Sequence, residues 1–156
     1  MIQSVKSSPA VEGDYDPGCT CVYLRSATRR ATRIYDNHLQ AAGLTLNQYS
    51  LLSRLSRYSG VSVSRFAEIM SMDRTTLTRN LQSLQTAGWL TVAPAGRSRA
   101  LALSMAGEAK LTESIPLWRA AQTRVNELLG TQTQRELHSA LKASIRSLEN
   151  RQAPGA

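Results

Sequence analysis

Apolar residues recur every three or four positions along most of the chain, which is the spacing of amphipathic α-helices. The spacing predicts one long helix near the N-terminus and two near the C-terminus, the first of which contains Pro116. These three predicted helices cover residues 22–42, 104–129 and 133–150. Thr133 with Glu136 is expected to cap the last one. Thr45 with Gln48 forms a similar capping box that opens a shorter helix, whose inward positions are Leu51, Leu52, Leu55 and Tyr58.

The stretch from Ser62 to Gly88 contains two further apolar stripes separated by a break at residues 71–72. Ser62 and Asp73 are suited to cap the two helices, and Gly88 is placed to end the second. The inward positions are Val63, Phe66, Ala67 and Met70 in the first helix and Leu77, Leu81 and Leu84 in the second. Two short helices joined by a tight turn predict a helix-turn-helix.

The exposed face of the second helix carries guanidinium, hydroxyl and amide side chains. Arg can bond guanine bidentately, Gln can pair with adenine, and Thr can bond phosphate or contact a thymine methyl. The candidate DNA contacts on this helix are Arg74, Thr75, Thr76, Thr78, Arg79 and Gln82. Ser62 and Arg65 are further candidates at the start of the first helix. The same residue types also occur on ordinary solvated helices, so this face alone does not decide the function.

A predicted β-hairpin follows directly. Leu90 and Val92 alternate in one strand, residues 94–96 form the turn, and Leu101 and Leu103 alternate in the returning strand. The tip carries Arg97 and Arg99, which are placed to contact phosphate or the minor groove. The fold class expected is therefore mainly α, a winged helix-turn-helix with a two-stranded β wing.

Composition agrees with a polyanionic partner. The 156 residues carry a formal net charge of +8, and residues 46–104 contain seven Arg against only Glu68 and Asp73. The length suits one domain over residues 19–150, with flexible arms at residues 1–18 and 151–156. Neither a signal-peptide core nor an apolar run long enough for a bilayer is visible, so a cytoplasmic protein is expected.

The long terminal helices have apolar stripes that the winged helix of residues 45–104 is too small to cover. A second copy would bury them, so helices 22–42 and 105–150 are predicted to form a dimerisation platform. Such a homodimer would place two recognition helices about one DNA turn apart on a pseudo-palindromic operator. The alternative is that these helices pack only on their own domain.

The order of these parts resembles the MarR family of bacterial transcriptional regulators. The segment Asp73-Arg74-Thr75-Thr76-Leu77-Thr78-Arg79, followed by Leu84 and Gly88-Trp89-Leu90, is similar to the family's recognition motif. Leu103-Ser104-x-x-Gly107 resembles the motif that follows the wing. The family's wing motif D-x-R falls on Ala95-Gly96-Arg97, so the Arg is present and the Asp is replaced.

The resemblance implies a homodimeric repressor that a small phenolic or aromatic ligand, or oxidation of a cysteine, releases from its operator. It implies an effector cleft between the platform and the winged helix, for which the candidates are Tyr35, His38, Tyr49 and Trp118. The alternative for these side chains is ordinary core packing. Cys19 and Cys21 are the redox candidates, with small apolar filler as their alternative role.

Other functional classes find little support. With only His38 and His138 beside a C-x-C, the paired spacing of a zinc site is missing, and no metal or cofactor is expected. The chain has no G-x-G-x-x-G, G-K-[ST], H-E-x-x-H or G-x-S-x-G, so an enzyme is not expected. A non-specific architectural DNA binder is the remaining rival, and it would bind all sequences with similar affinity.

Overall fold

The computed structural model describes residues 18–95 and 98–152, with side chains described for 18–93 and 100–149. The predicted arms lie outside the described residues, apart from Gly18 and the last two residues of the final helix. The elements are α1 (Thr20–Leu39), a 3-10 helix (Gln40–Ala42), α2 (Leu46–Leu55), β1 (Val61–Ser62), α3 (Val63–Ile69), α4 (Arg74–Thr86), β2 (Leu90–Ala95), β3 (Ser98–Leu103), α5 (Met105–Leu129) and α6 (Thr131–Gln152).

The three strands form one antiparallel sheet in the order β1-β3-β2. β2 and β3 are the predicted hairpin, but residues 94 and 95 continue β2 rather than belonging to the turn. β1 is an addition to the predicted wing, because Val61 pairs with Leu101 of β3. Two residues are too few to show the alternation by which a strand is recognised. This pairing attaches the wing to the start of α3.

The predicted caps of the helix-turn-helix are confirmed. The Ser62 hydroxyl accepts a hydrogen bond from the Arg65 amide at 3.2 Å, and the Asp73 carboxylate accepts one from the Thr76 amide at 2.8 Å. Each cap satisfies an amide that has no partner within its own helix. The first turns of α3 and α4 are therefore fixed by side chains of the preceding residues.

Ser71 makes the turn between α3 and α4 in the left-handed region, with φ of 51°. Its amide donates to the Glu68 carbonyl, and the amide of Met72 donates to the Ala67 carbonyl. These two bonds form a Schellman motif, which ends a helix with one left-handed residue. Glycine usually takes that position, so the sequence contains no clear sign of this motif.

Gly88 ends α4 in the predicted way. It has φ of 73°, its amide donates to the Gln85 carbonyl, and the Trp89 amide donates to the Leu84 carbonyl at 2.9 Å. This is a second Schellman motif, with the glycine that such a conformation favours. The entry into β2 is therefore hydrogen-bonded directly to the last turn of α4.

The core lies between α2, α3, α4 and the sheet, and the end of α1 and the first half of α5 also pack into it. Its fully buried side chains include those of Leu39, Leu51, Leu52, Leu55, Phe66, Leu77, Leu84 and Leu101. The prediction that Tyr58 faces inward is wrong, because Tyr58 follows the end of α2 and is 41% exposed. The inward face of α4 is confirmed, so its opposite face is available to solvent.

The terminal helices pack less completely. α5 is capped by Ser104, whose hydroxyl accepts from the Gly107 amide, and the helix packs against α1 and α2. α6 begins at Thr131, so the predicted Thr133 cap is wrong, and Glu136 accepts a hydrogen bond from Gln132 instead. Several large apolar side chains of these helices are 36–62% exposed, namely Val22, Tyr23, Leu24, Leu128, Ile145 and Leu148. Among helices of the described ranges, none has both the length and the apolar character that crossing a membrane requires.

Candidate nucleic-acid interface

The exposed face of α4 forms an open concavity of about 380 Å³. It is lined by Arg74, Thr75, Thr78, Arg79 and Gln82. These five residues are all predicted DNA contacts, and they meet because they lie one helical turn apart, opposite the buried leucines. The concavity therefore combines two guanidinium groups, two hydroxyls and one amide on a single rigid helix.

Thr78 presents a restricted chemistry within this concavity. Its hydroxyl donates to the Arg74 carbonyl at 2.7 Å. Because the single hydroxyl proton is used, the side chain offers the outside only oxygen lone pairs and a methyl group. Thr78 is therefore suited to an apolar contact, such as a thymine methyl, or to accepting a hydrogen bond.

Within the part of the chain that the structure describes, the two guanidinium groups of α4 have no carboxylate partner. Arg74 and Arg79 are both exposed, and within the described residues no ion pair includes either of them. The nearby Asp73 carboxylate is engaged by the Thr76 hydroxyl and amide, and these hydrogen bonds lower its pKa. Asp73 therefore stays ionised and serves the helix N-terminus, while both guanidinium groups can meet an external anion.

The remaining predicted contacts on α3 and α4 have other roles in the free protein. The Ser62 hydroxyl is occupied by the α3 cap. Arg65 forms an ion pair with Glu68 at 2.6 Å, with both side chains about two-thirds exposed. Thr76 is exposed but lies beside the concavity rather than in its lining. A surface ion pair of this kind is weak, so Arg65 can exchange Glu68 for a phosphate at small cost.

The arginines at the tip of the wing are not placed by the structure. Arg97 lies outside the described residues. Arg99 belongs to β3, but its side chain also lies outside the described part of the chain. Contact between the wing and DNA therefore stays a prediction.

Three of the four candidate effector residues come together between the terminal helices and α2. The ring of Trp118 on α5 stacks on Tyr49 of α2 at 5.6 Å and on Tyr35 of α1 at 6.4 Å, measured between ring centroids. We call these three rings the aromatic cluster. Tyr49 is buried, and the other two rings are partly buried against the core.

Polar side chains extend from the Tyr35 ring of the aromatic cluster, and the fourth candidate, His38, bonds to its own helix. The Tyr35 hydroxyl donates to the side-chain carbonyl of Gln122 at 2.6 Å, and Gln122 in turn donates to Asn126. Burial raises the pKa of both tyrosines, so their phenols are neutral donors near pH 7. His38 lies one turn beyond Tyr35 and donates from Nδ1 to the Ile34 carbonyl at 2.8 Å. Its Nε2 is consequently left as an acceptor in the neutral form.

The two cysteines are free thiols. Cys19 is the residue before α1 and is partly buried, whereas Cys21 lies in the first turn and is exposed. Within the residues described, no three His, Cys, Asp or Glu side chains are grouped so that they could hold a metal ion.

Comparison with known proteins identifies the family. The MarR family profile matches residues 42–100, from the 3-10 helix to the wing. The crystal structure of the M. tuberculosis transcriptional regulator MosR is 32% identical in sequence and superimposes with a TM-score of 0.70, over 83% of this chain and 98% of that one. The chain belongs to the MarR family. As a member of this family of transcriptional regulators it is not an enzyme.

Two further structures of MarR-family proteins were solved with DNA. MosR in complex with DNA is 31% identical and has a TM-score of 0.71, again over 83% of this chain and 98% of that one. A mutant of MarR from E. coli complexed with operator DNA has a TM-score of 0.74 over 80% of this chain and 91% of that one. At 19% identity, the second comparison shows a shared fold alone. No functionally curated protein is detectably similar in sequence.

Some residues of interest were not found from the sequence. Gln122 holds Tyr35 from 87 positions away, and Lys110 on α5 reaches the Ala42 carbonyl from 68 positions away. Both are polar residues on amphipathic helices, where the pattern indicates only a solvated position. The motif after the wing includes Gly107, but only the structure shows why a glycine is needed there, namely that its backbone lies close to the Trp89 carbonyl.

Proposed function

We propose that this MarR-family protein is a homodimeric repressor that recognises a pseudo-palindromic operator through α4. The observation that carries the proposal is the concavity on α4, because it joins two exposed guanidinium groups with Thr and Gln side chains that suit base edges. The formal net charge of +8 adds a favourable term for any DNA. MosR, the relative with 31% identity, was crystallised with DNA, which supports the same partner here.

The dimer follows from the exposed apolar side chains of the terminal helices. They lie on α1, α5 and α6, and single chains rarely leave such helices uncovered. A two-fold axis would bury the same patch on both protomers and present two copies of α4. The wing residues Arg97 and Arg99 would then contact the flanking phosphates or the minor groove.

The signal for release is proposed to be a small aromatic ligand acting near the aromatic cluster. Stacked rings suit an aromatic ligand, and the Nε2 acceptor of His38 suits a ligand hydroxyl such as that of a phenol. The exposure of Cys21 favours the second candidate, release by oxidation. The two are separated with a variant in which Cys19 and Cys21 are both Ser: a phenolic acid should still release it from DNA, whereas peroxide should not. Peroxide release of the wild type alone, with no response to phenolic acids, would reverse the assignment.

Recognition by α4 is tested with Arg79→Ala. An operator is first selected from random DNA duplexes with the wild-type protein, and affinities are then measured on that operator and on a scrambled duplex at one salt concentration. Because Arg79 is central on the exposed face, its loss should cost about 1–3 kcal/mol on the operator and much less on scrambled DNA. Arg146→Ala, which removes an exposed arginine from α6, is the matched control and should leave the ratio of the two affinities unchanged.

Two results would contradict this assignment. An equal loss on both duplexes would make Arg79 a phosphate contact without a role in specificity. If the wild-type protein enriches no sequence at all, the chain is a non-specific architectural binder and the proposed function fails.

A further inference from the structure

The last turn of α4 is joined to the first turn of α5 by a short hydrogen-bonded contact. The Ser104 hydroxyl donates to the Gly88 carbonyl at 2.6 Å, and the Ser104 amide donates to the Trp89 carbonyl at 3.1 Å. The same hydroxyl accepts from the Gly107 amide, which begins α5. One serine therefore caps α5 and binds the residues that end α4.

Gly107 lets the two elements approach without a gap. A Cβ built on Gly107 would overlap the carbonyl oxygen and carbonyl carbon of Trp89. Any larger residue would push α5 away from the entry to β2, because the atoms in the way belong to the backbone. Backbone contact thus sets the closest approach of α5 to the end of α4, whereas side-chain contacts are needed to hold the two elements there.

Lys110 lies one turn further along α5 and contacts two other segments. Its ammonium donates to the Ala42 carbonyl at 3.2 Å and lies 5.7 Å from the centre of the Trp89 ring. Glu113 holds the ammonium from the same helix at 2.8 Å. The Lys110 side chain is only 22% exposed, so a cation-π contact and a carbonyl bond there are shielded from water.

These contacts connect the recognition helix with the platform. Trp89 is bonded to Leu84 of α4, so a displacement of Trp89 is passed to that helix. Ala42 ends the 3-10 helix that continues α1. Lys110 therefore links α5, the end of α1 and the end of α4 at a single charged group.

We propose that Lys110 is a positioning residue that fixes α4 relative to α5, and thereby sets the separation of the two recognition helices in the dimer. This proposal rests on the proposed function, since separation matters only for a dimer on a two-part operator. Without the Lys110 ammonium, the Trp89 ring and the Ala42 carbonyl lose their common partner, and α4 can take several positions relative to the platform. The variant would bind the operator less well, because the position of α4 that fits the DNA is then only partly populated.

The test uses Lys110→Met, which keeps most of the apolar stem and removes the ammonium. Binding is measured on the operator selected by the wild-type protein and on two derivatives with one base pair added or removed between the half-sites, a shift of about 3.4 Å. The variant should bind the selected operator roughly 2- to 30-fold more weakly, the range of effects that coupling residues have. It should also discriminate less against the altered spacings than the wild type does. Lys110→Arg, which retains the charge and the contact with Trp89, should restore most of the preference.

Arg146→Met provides the matched control, because it removes one exposed positive charge from α6 on the side of the helix away from Ile145 and Leu148. It should change all three affinities equally and slightly. Lys110→Gln, which removes the ammonium but keeps a polar side chain at this partly exposed position, serves as the milder variant if Lys110→Met does not fold.

Unchanged spacing discrimination in folded Lys110→Met or Lys110→Gln would overturn the proposal, even if the melting temperature or the overall affinity falls, because a merely structural role predicts that result. Failure of the proposed function is a separate outcome. In that case the wild-type protein itself would select no operator or show no preference for spacing.

Discussion

At the scale of single residues, the groups that shape α4 are small polar side chains with fixed hydrogen bonds. Asp73 caps the helix, and the Thr78 hydroxyl returns to the Arg74 carbonyl. Both bonds orient the first turn of the helix before any partner is present. The free guanidinium groups are thus carried on a helix whose start is already ordered, which lowers the entropy that binding must offset.

The Asp73 cap should make stability depend on pH. Its pKa is lowered from the ordinary value of 3.8 by hydrogen bonds from Thr76. A group whose pKa is lower in the folded state stabilises the protein above its unfolded pKa, and this contribution disappears as pH falls through the folded pKa. Asp73→Asn keeps an acceptor oxygen but has no charge to titrate. The wild type should therefore melt at a higher temperature than Asp73→Asn near neutral pH.

That advantage should shrink as the solution is acidified below about pH 4. Thermal denaturation of both proteins across this range, followed by circular dichroism, measures the difference directly. A difference that stays constant down to about pH 3 would show that the charge of Asp73 does not contribute to the cap.

At the scale of elements, the parts of the fold that obey a local pattern were predictable. The inward leucines of α4 repeat at helical spacing, and caps such as Thr45 depend only on residues three positions apart. The five residues of the concavity follow from the same periodicity, since the buried face of α4 determines the exposed one. This covers most of the helical architecture and the helical part of the candidate site.

The rest of the fold depends on tertiary contacts that no local pattern carries. β1 exists because Val61 meets β3, and Ser71 adopts its left-handed conformation without the glycine that would signal it. The prediction of the Thr133 cap was wrong because α6 starts directly after Gly130, so Thr133 already lies inside the first turn of the helix. Lys110 finds its partner across 68 positions of sequence. These features depend on tertiary packing, which local propensity and residue spacing do not determine.

At the scale of the whole molecule, the chain separates a complete core from an incomplete platform. The winged helix buries its leucines within one chain, whereas α1, α5 and α6 leave large apolar side chains in solvent. Such a surface would gain stability by pairing with a second copy, and in the proposed dimer this pairing also sets the distance between the two copies of α4. In the proposed dimer, the platform therefore contributes to DNA recognition without touching DNA.

Ile145→Glu should test this directly. Ile145 is 54% exposed on α6, and a carboxylate in a buried two-fold interface would occur in both copies and would have to be desolvated without a partner. The variant should sediment as a folded monomer at concentrations where the wild type is a dimer. Its affinity for the selected operator should fall roughly 10²- to 10⁴-fold, because the second half-site is no longer bound intramolecularly.

Ser139→Glu adds the same charge to an exposed position of α6 away from the apolar stripe and should leave both the mass and the affinity nearly unchanged. Circular dichroism of Ile145→Glu distinguishes dissociation from unfolding, since no described side chain of α6 belongs to the core of the protomer, which should therefore survive. If Ile145→Glu remains a dimer with full operator affinity, the exposed stripe of α6 is not the interface. The platform would then have to pair through the apolar residues of α1 and α5 alone.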